Sequence, residues 1–223
     1  MMGNSKLICF IGIDGSGKTT LAKRLVELMK RKGMNCKYIH GGYEPLILKP
    51  IMIIGRLFFL RQKNSAKNYV EARNRKRKIF NNYFLSKTYK LILLLDYLVQ
   101  IFLKLNLSLI FGKKVICDRY VYDVIINDLS VDLHLSKRDI KNLLRICFYI
   151  LPKPEIVFVL DVPEDIAIKR KNDISSTEFL RDRRSTYLWL GKEYRMVILD
   201  GTKSIKELKN LVLKVVSSAE ETL

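Results

Sequence analysis

Gly12-Ile13-Asp14-Gly15-Ser16-Gly17-Lys18-Thr19-Thr20 stands between an apolar run, Leu7 to Ile11, and a stretch in which Leu21, Leu25, Leu28 and Met29 recur at helical spacing. The order is buried strand, glycine loop, helix. In the pattern G-x-x-x-x-G-K-T the glycines let successive backbone N–H groups turn inward around a phosphate chain. The helix starting near Lys18 aims its positive dipole end at the same anion. Lys18 is spaced to reach the β- and γ-phosphates of a bound nucleotide, and the Thr19 hydroxyl to ligate Mg²⁺. A chance glycine-rich turn is the competing explanation, but the strand before and the helix after supply the context the motif demands. The whole stretch, Gly12 to Thr20, therefore reads as a nucleotide-binding loop.

The rest of the chain suits one α/β domain over 1–223 better than two, and its 48% apolar content is ample for a full core. Lys and Arg number 41 against 22 Asp and Glu, a formal net charge of +19, which points to anionic partners without choosing among nucleotides, nucleic acid and acidic lipid. Cys9, Cys36, Cys117 and Cys147 share no metal-like spacing and read as buried reduced thiols, which favours the cytoplasm. His40 and His134 are the two histidines, too few for a histidine-based metal site. Nothing at the N-terminus resembles a signal peptide, since cleavage would destroy the glycine loop.

Working outward, Cys36 to His40 reads as a second strand, and the loop His40-Gly41-Gly42-Tyr43-Glu44-Pro45 follows it. Loops at the carboxyl ends of parallel strands form the ligand crevice, so Glu44 and the glycine pair lie either at a second substrate or in an ordinary strand-to-helix turn. Leu46 to Leu60 is apolar but broken by Lys49, Pro50, Gly55 and Arg56, too short for a spanning helix. The basic run at 61–78 has only Glu71 opposing it. It is a solvated helix face, a surface for an acidic polymer or membrane, or a contributor to phosphate binding. Leu91 to Phe111 approaches spanning length, yet Asp96 and Lys104 cost about 2.5–3.5 kcal/mol each near a bilayer centre, so it reads as one or two buried helices. The pattern from Tyr89 through Phe102 fits a helix packed on several sides.

Lys113 to Arg119 is the second informative stretch. Val115, Ile116 and Cys117 form a buried strand that delivers Asp118 and Arg119 to the same sheet edge as the glycine loop. A fixed carboxylate there can hold Mg²⁺ or its water shell, and the arginine can clamp a phosphate. Taken alone, Asp-Arg at a strand end is more often a surface salt bridge. Ser136 to Asp139 opens a helix as a capping box, and Pro152 and Pro154 close it. Ile156 to Leu160 is the fourth strand. The helix from Pro163 runs into Lys169, Arg170 and Lys171, and the basic, serine-rich segment of about 169–178 is either a lid or a plain exposed loop. A helix from Phe179 to Leu190, a strand from Met196 to Leu199, and a capped helix from Ser204 complete the chain. Five strands separated by helices make a three-layer α/β fold with a parallel sheet.

With these segments in place the chain resembles the thymidylate kinase family of nucleoside monophosphate kinases over nearly its whole length. The likeness is densest in FIGIDGSGKTTL, ICDRY, VPEDIAIKR and FLRDRRSTYL. It implies a P-loop NTPase fold of five parallel strands flanked by helices with a lid insertion, and transfer of the γ-phosphoryl of ATP to dTMP with Mg²⁺. It also implies that Asp14 faces the acceptor's sugar, Arg119 its phosphate, and Gly201 to Ser204 the adenine. Glu44, Tyr97 and Tyr120 complete the expected acceptor set. Because Gly15 occupies a place where some members carry arginine, the catalytic cation is expected from the lid, with Arg170 or Lys171 the candidates. Family members are often homodimers, which leaves that state open here.

The departures lie at the acceptor. The family's Arg-Glu-Pro-Gly-Gly-Thr is replaced by His40 to Pro45. A helix that usually offers phenylalanine and arginine to thymine offers Leu93 and Tyr97, and Asp123 and Asn127 replace a serine and an aromatic. Alternatives therefore include a kinase of this fold acting on another nucleotide, a sugar or a lipid-linked compound at a membrane surface. A nucleic-acid-associated ATPase fits the charge, but no acidic helicase signature or tandem motor domain accompanies it, and no stable nucleic-acid partner is expected. No transmembrane segment is expected.

Overall fold

The computed structural model describes residues 7–44, 83–130, 135–171 and 177–221. The apolar run at Leu46–Leu60 and the basic run at 61–78 lie outside the described residues. Five strands form one sheet: β1 (Leu7–Gly12), β2 (Cys36–His40), β3 (Lys114–Asp118), β4 (Ile156–Asp161) and β5 (Val197–Asp200). Their order is β2-β3-β1-β4-β5 and every pairing is parallel. The expected three-layer fold is observed.

Side chains of β1 alternate between two cores, which is why its sequence is uniformly apolar rather than alternating. Ile8 and Phe10 meet α1 (Lys18–Arg31), and the same face carries the final helix, Ile205–Glu221. Phe10 stacks on Phe158 of β4 at 5.1 Å between centroids. Leu7, Cys9 and Ile11 face the other core, filled by Leu93, Tyr97, Ile101, Leu144, Tyr187 and Leu190. These come from α2 (Tyr83–Ile110), α4 (Lys137–Ile150) and α6 (Thr177–Glu193); α3 (Val121–Val124) and a π-helical segment, Ile125–Ser130, lie between α2 and α4, and α5 (Glu164–Arg170) follows β4. The final helix is α7. Burying each large apolar side chain contributes about 1.5–3 kcal/mol. All four cysteines are buried and free.

The predicted capping boxes form. Ser136 and Asp139 exchange contacts at the start of α4, with the Asp139 N–H donating to Ser136 Oγ at 3.2 Å, and the Glu207 N–H reaches Ser204 Oγ at 3.3 Å before α7. One expectation needs correction. Helix α2 is continuous and packs on one side, not several: Leu93, Leu94, Tyr97, Leu98, Ile101 and Leu105 are buried, whereas Leu91, Leu95, Val99, Leu103 and Leu107 are exposed. Its Lys87–Ile110 portion is long and apolar enough to cross a membrane, and half of it is buried against the domain. The apolar residues are too evenly distributed around the helix for periodicity to reveal its inner face.

Candidate active site

Three strand ends, those of β1, β2 and β3, meet at one edge because His40 and Phe10 both stand in register with Asp118. The glycine loop leaves β1 there. Gly15 has φ +80°, and the Ala167 backbone of α5 occupies the place where a Cβ would stand. A side chain at that position would have to displace α5, which accounts for the glycine. Lys18 is buried, and its Nζ donates to the Ile13 carbonyl at 2.6 Å and to Ser16 Oγ at 3.4 Å. Burial, and secondly the charge of Arg119, push its ammonium pKa down to about 8 against the pull of Asp123, Asp14 and Asp118. No acidic residue occupies the first turn of α1. An incompletely solvated cation beside a helix N-terminus is stabilised by an arriving phosphate.

Asp118 is fully buried at the end of β3. Its Oδ2 accepts from the Thr19 hydroxyl at 2.6 Å and the Tyr38 hydroxyl at 2.8 Å, and His40 Nδ1 lies 3.5 Å away. Burial works to raise its pKa, but hydrogen bonds from His40, Thr19 and Tyr38 and the charge of Lys18 bring it below the usual carboxylate value. The other oxygen, Oδ1, is buried without a hydrogen-bond partner. An orphaned, ionised oxygen beside a threonine hydroxyl fits a hard cation that takes most of its ligands from water and phosphate, as Mg²⁺ does. Among the described residues no cluster of three or more His, Cys, Asp or Glu could hold a metal by itself. Sequence reasoning missed Tyr38 as an Asp118 partner. The available signal was its alternation with His40 along β2, which puts both on one face.

Arg119 follows at φ +69°, a left-handed backbone uncommon for a non-glycine residue. Its Nη2 donates to Asp14 Oδ1, so the loop and the end of β3 are joined by an ion pair. Burial opposes its charge, but Asp123 and Asp14 outweigh that and raise its pKa. For Asp14 burial is likewise opposed, by Arg119, Lys18 and Lys171 in turn, and its pKa is lowered. Gly41 lies directly against the Arg119 carbonyl and Cys117 Sγ, where a Cβ would clash. Gly41 is therefore dictated by the close approach of two strand ends, whereas a Cβ at Gly42 would meet the His40 side chain.

The remaining expected acceptor residues have local partners. Tyr97 is buried, and its hydroxyl donates to the Gly41 carbonyl at 3.2 Å, bracing the loop. Tyr120 is also buried, with its hydroxyl on the Pro152 carbonyl at 2.9 Å. Glu44 is exposed and faces Lys104 of α2 at 3.9 Å. The hydroxyls of Tyr97 and Tyr120 are thus each committed to a backbone carbonyl. Asp123 is buried against Arg119 and Tyr187. Asn127 accepts from Arg183 at 2.8 Å.

Of the lid candidates, Arg170 ends α5 and its Nη1 donates to the Gly201 carbonyl at 3.0 Å, directing it to the segment expected at the adenine rather than to the phosphates. Lys171, one residue on, is exposed, and its charge is the smallest of the named influences that keep Asp14 ionised. The centre of the expected lid, 172–176, lies outside the described residues. Arg184 makes a two-pronged contact with Asp161 at 2.5 and 3.1 Å, fastening α6 to the end of β4.

Comparison with known proteins returns a family model described as thymidylate kinase, matching residues 67–212. A protein of Methanocaldococcus jannaschii named "probable thymidylate kinase" is 30% identical over 216 residues, covering 95% of this chain and 96% of that protein. One of the same name from Staphylothermus marinus is 29% identical over 220 residues, covering 96% and 95%. The "thymidylate kinase" of Plasmodium falciparum is 26% identical over 221 residues, covering 95% and 90%.

Proposed function

Because this chain belongs to the thymidylate kinase family and is a kinase, we propose that it transfers the terminal phosphoryl group of ATP, with Mg²⁺, to a nucleoside monophosphate, dTMP being the first candidate. The observation that carries the reading is the meeting of Lys18, Thr19 and the buried Asp118 at one sheet edge, with the Thr19 hydroxyl 2.6 Å from a carboxylate whose second oxygen has no partner.

In this reading the loop Gly12 to Thr20 wraps the donor phosphates and Lys18 leaves the Ile13 carbonyl for them. Thr19 and Asp118 would hold Mg²⁺, which would supply charge neutralisation for the transferred group. Arg119 holds the acceptor phosphate, and Asp14, paired with Arg119, lies beside the acceptor sugar. An acceptor phosphate oxygen attacks the γ-phosphorus in line, and the β–γ bridging oxygen leaves with ADP. Catalysis is positioning and charge neutralisation. Arg170, through Gly201, serves the adenine side, which leaves Lys171 as the other candidate for the lid cation. The chain acts as one domain, and its reduced buried cysteines fit the cytoplasm.

One set of contacts favours a second reading, an acceptor other than dTMP. Tyr97, Tyr120 and Asn127, at the places that depart from the family or were expected to meet the acceptor, are engaged with Gly41, Pro152 and Arg183. The deciding experiment measures ADP release with ATP and Mg²⁺ against dTMP, dUMP, dCMP, CMP, UMP and AMP, with Lys18→Ala as control. Preference for dTMP, lost in the control, supports the assignment. Turnover of none of the six by folded, ATP-binding protein overturns it and moves the search to sugar or lipid-linked acceptors.

A further inference from the structure

Behind Arg119 runs a series of buried polar side chains that phosphoryl transfer, as described, does not use. Arg119 Nη1 lies 3.9 Å from Asp123 Oδ1. That oxygen also accepts from the Tyr187 hydroxyl at 2.6 Å, while Oδ2 accepts from the Tyr120 N–H at 3.1 Å. Asn127 Nδ2 donates to the Tyr187 oxygen at 3.1 Å. Arg183 in turn gives Nε to Asn127 Oδ1 and Nη2 to the Asn127 carbonyl, both at 2.8 Å. Its guanidinium lies 3.3 Å from the centre of the Phe179 ring, in the first turn of α6. Asp123, Tyr187 and Arg183 are 2%, 1% and 5% exposed.

A buried polar series of this kind stabilises little beyond what apolar residues of equal volume would, so its effect is on geometry. Two further observations place that geometry at Arg119. The segment bearing Asn127 is π-helical, a form that interrupts ordinary helix and recurs at functional sites. Arg119 itself holds a left-handed backbone, which needs its surroundings to keep it in place. Its guanidinium lies between two carboxylates. Asp14 belongs to the glycine loop and is partly exposed, whereas Asp123 is buried and locked by Tyr187.

The geometry points to Asp123 as a positioning residue: clamped by Tyr187, its carboxylate holds Arg119 against the pull of Asp14 and keeps the guanidinium aimed at the acceptor phosphate. Through Tyr187 and Arg183 the aim is set from α6, the helix that follows the expected lid. This inference rests on the proposed contact between Arg119 and the acceptor.

The test uses the full chain carrying Asp123→Asn or Tyr187→Phe, each alone and combined with Arg119→Met. Calorimetry with dTMP should show affinity weakened about tenfold by Asp123→Asn and several-fold by Tyr187→Phe, with ATP affinity within about twofold of wild type. In the Arg119→Met background neither change should weaken dTMP binding further. Equal losses in both backgrounds, or unchanged dTMP affinity in the single variants, overturn the inference. A second readout needs no substrate. The guanidinium Nε–Hε resonance of Arg119, assigned by its absence in Arg119→Met, should shift or broaden in Tyr187→Phe, which retains the ring volume. A resonance unmoved by Tyr187→Phe overturns the positioning role. If wild type binds no dTMP, the acceptor reading fails while the resonance still decides whether Asp123 and Tyr187 hold Arg119.

Discussion

The Thr19 hydroxyl lies 2.6 Å from Asp118 Oδ2 across a separation of 99 residues. Two segments that each carry half of a cation site are brought together because β3 pairs directly with β1, setting Asp118 in register with Phe10 just before the glycine loop. Asp118→Asn preserves an acceptor for Thr19 and Tyr38 but removes the charge. We expect the Mg²⁺ concentration for half-maximal turnover to rise about tenfold or more, with Thr19→Val acting in the same direction and Thr19→Ser close to wild type. Turnover titrated with Mg²⁺ checks this, and an unchanged midpoint in both damaging variants would remove the pair from the metal site.

Lys18 provides a pH prediction. Its folded-state pKa is lowered from 10.5 to about 8, chiefly by burial. Between those values the unfolded chain binds the proton and the folded free protein does not, so this group makes stability rise with pH. The difference is on the order of 3 kcal/mol across the window, and it should vanish in Lys18→Met. Urea denaturation of both proteins from pH 7 to 10.5 should show wild type gaining on the variant as pH rises. Bound phosphate restores the ammonium, so ATP binding should take up a proton near pH 8 and weaken above it. Calorimetry in buffers of different ionisation enthalpy measures that uptake.

Gly15 should tolerate no side chain. With φ +80° and the Ala167 backbone against it, Gly15→Arg must displace α5 from the loop. A loss of about 2 kcal/mol or more in stability is expected, together with loss of ATP binding. Thermal denaturation and nucleotide titration check both. A variant of normal stability that binds ATP would show that α5 can yield there.

Arg170 and Lys171 should separate kinetically although they are neighbours. Arg170 reaches the Gly201 carbonyl at 3.0 Å, which leaves Lys171 as the candidate for the transferred group. Arg170→Ala should raise the KM for ATP with a modest change in kcat, and Lys171→Ala should lower kcat by about tenfold to a hundredfold with little change in ATP affinity. The opposite pattern would return the catalytic role to Arg170.

What could be read from the residues alone was what neighbours in sequence impose. The apolar runs of β1, β3 and β4, the glycine loop and its helix, and the caps at Ser136 and Ser204 all express short-range rules of period and backbone conformation. Asp118 and Arg119 could be assigned to the loop's edge because strands separated by helices run parallel and end on one side. The tertiary structure alone decided how polar side chains found partners. Tyr97 turns to Gly41, Tyr120 to Pro152, and Asp123 to Tyr187, over separations of 56, 32 and 64 residues. A residue's type shows that it can donate or accept, but which group it meets depends on how distant segments pack, and a buried group must take whatever partner that packing supplies.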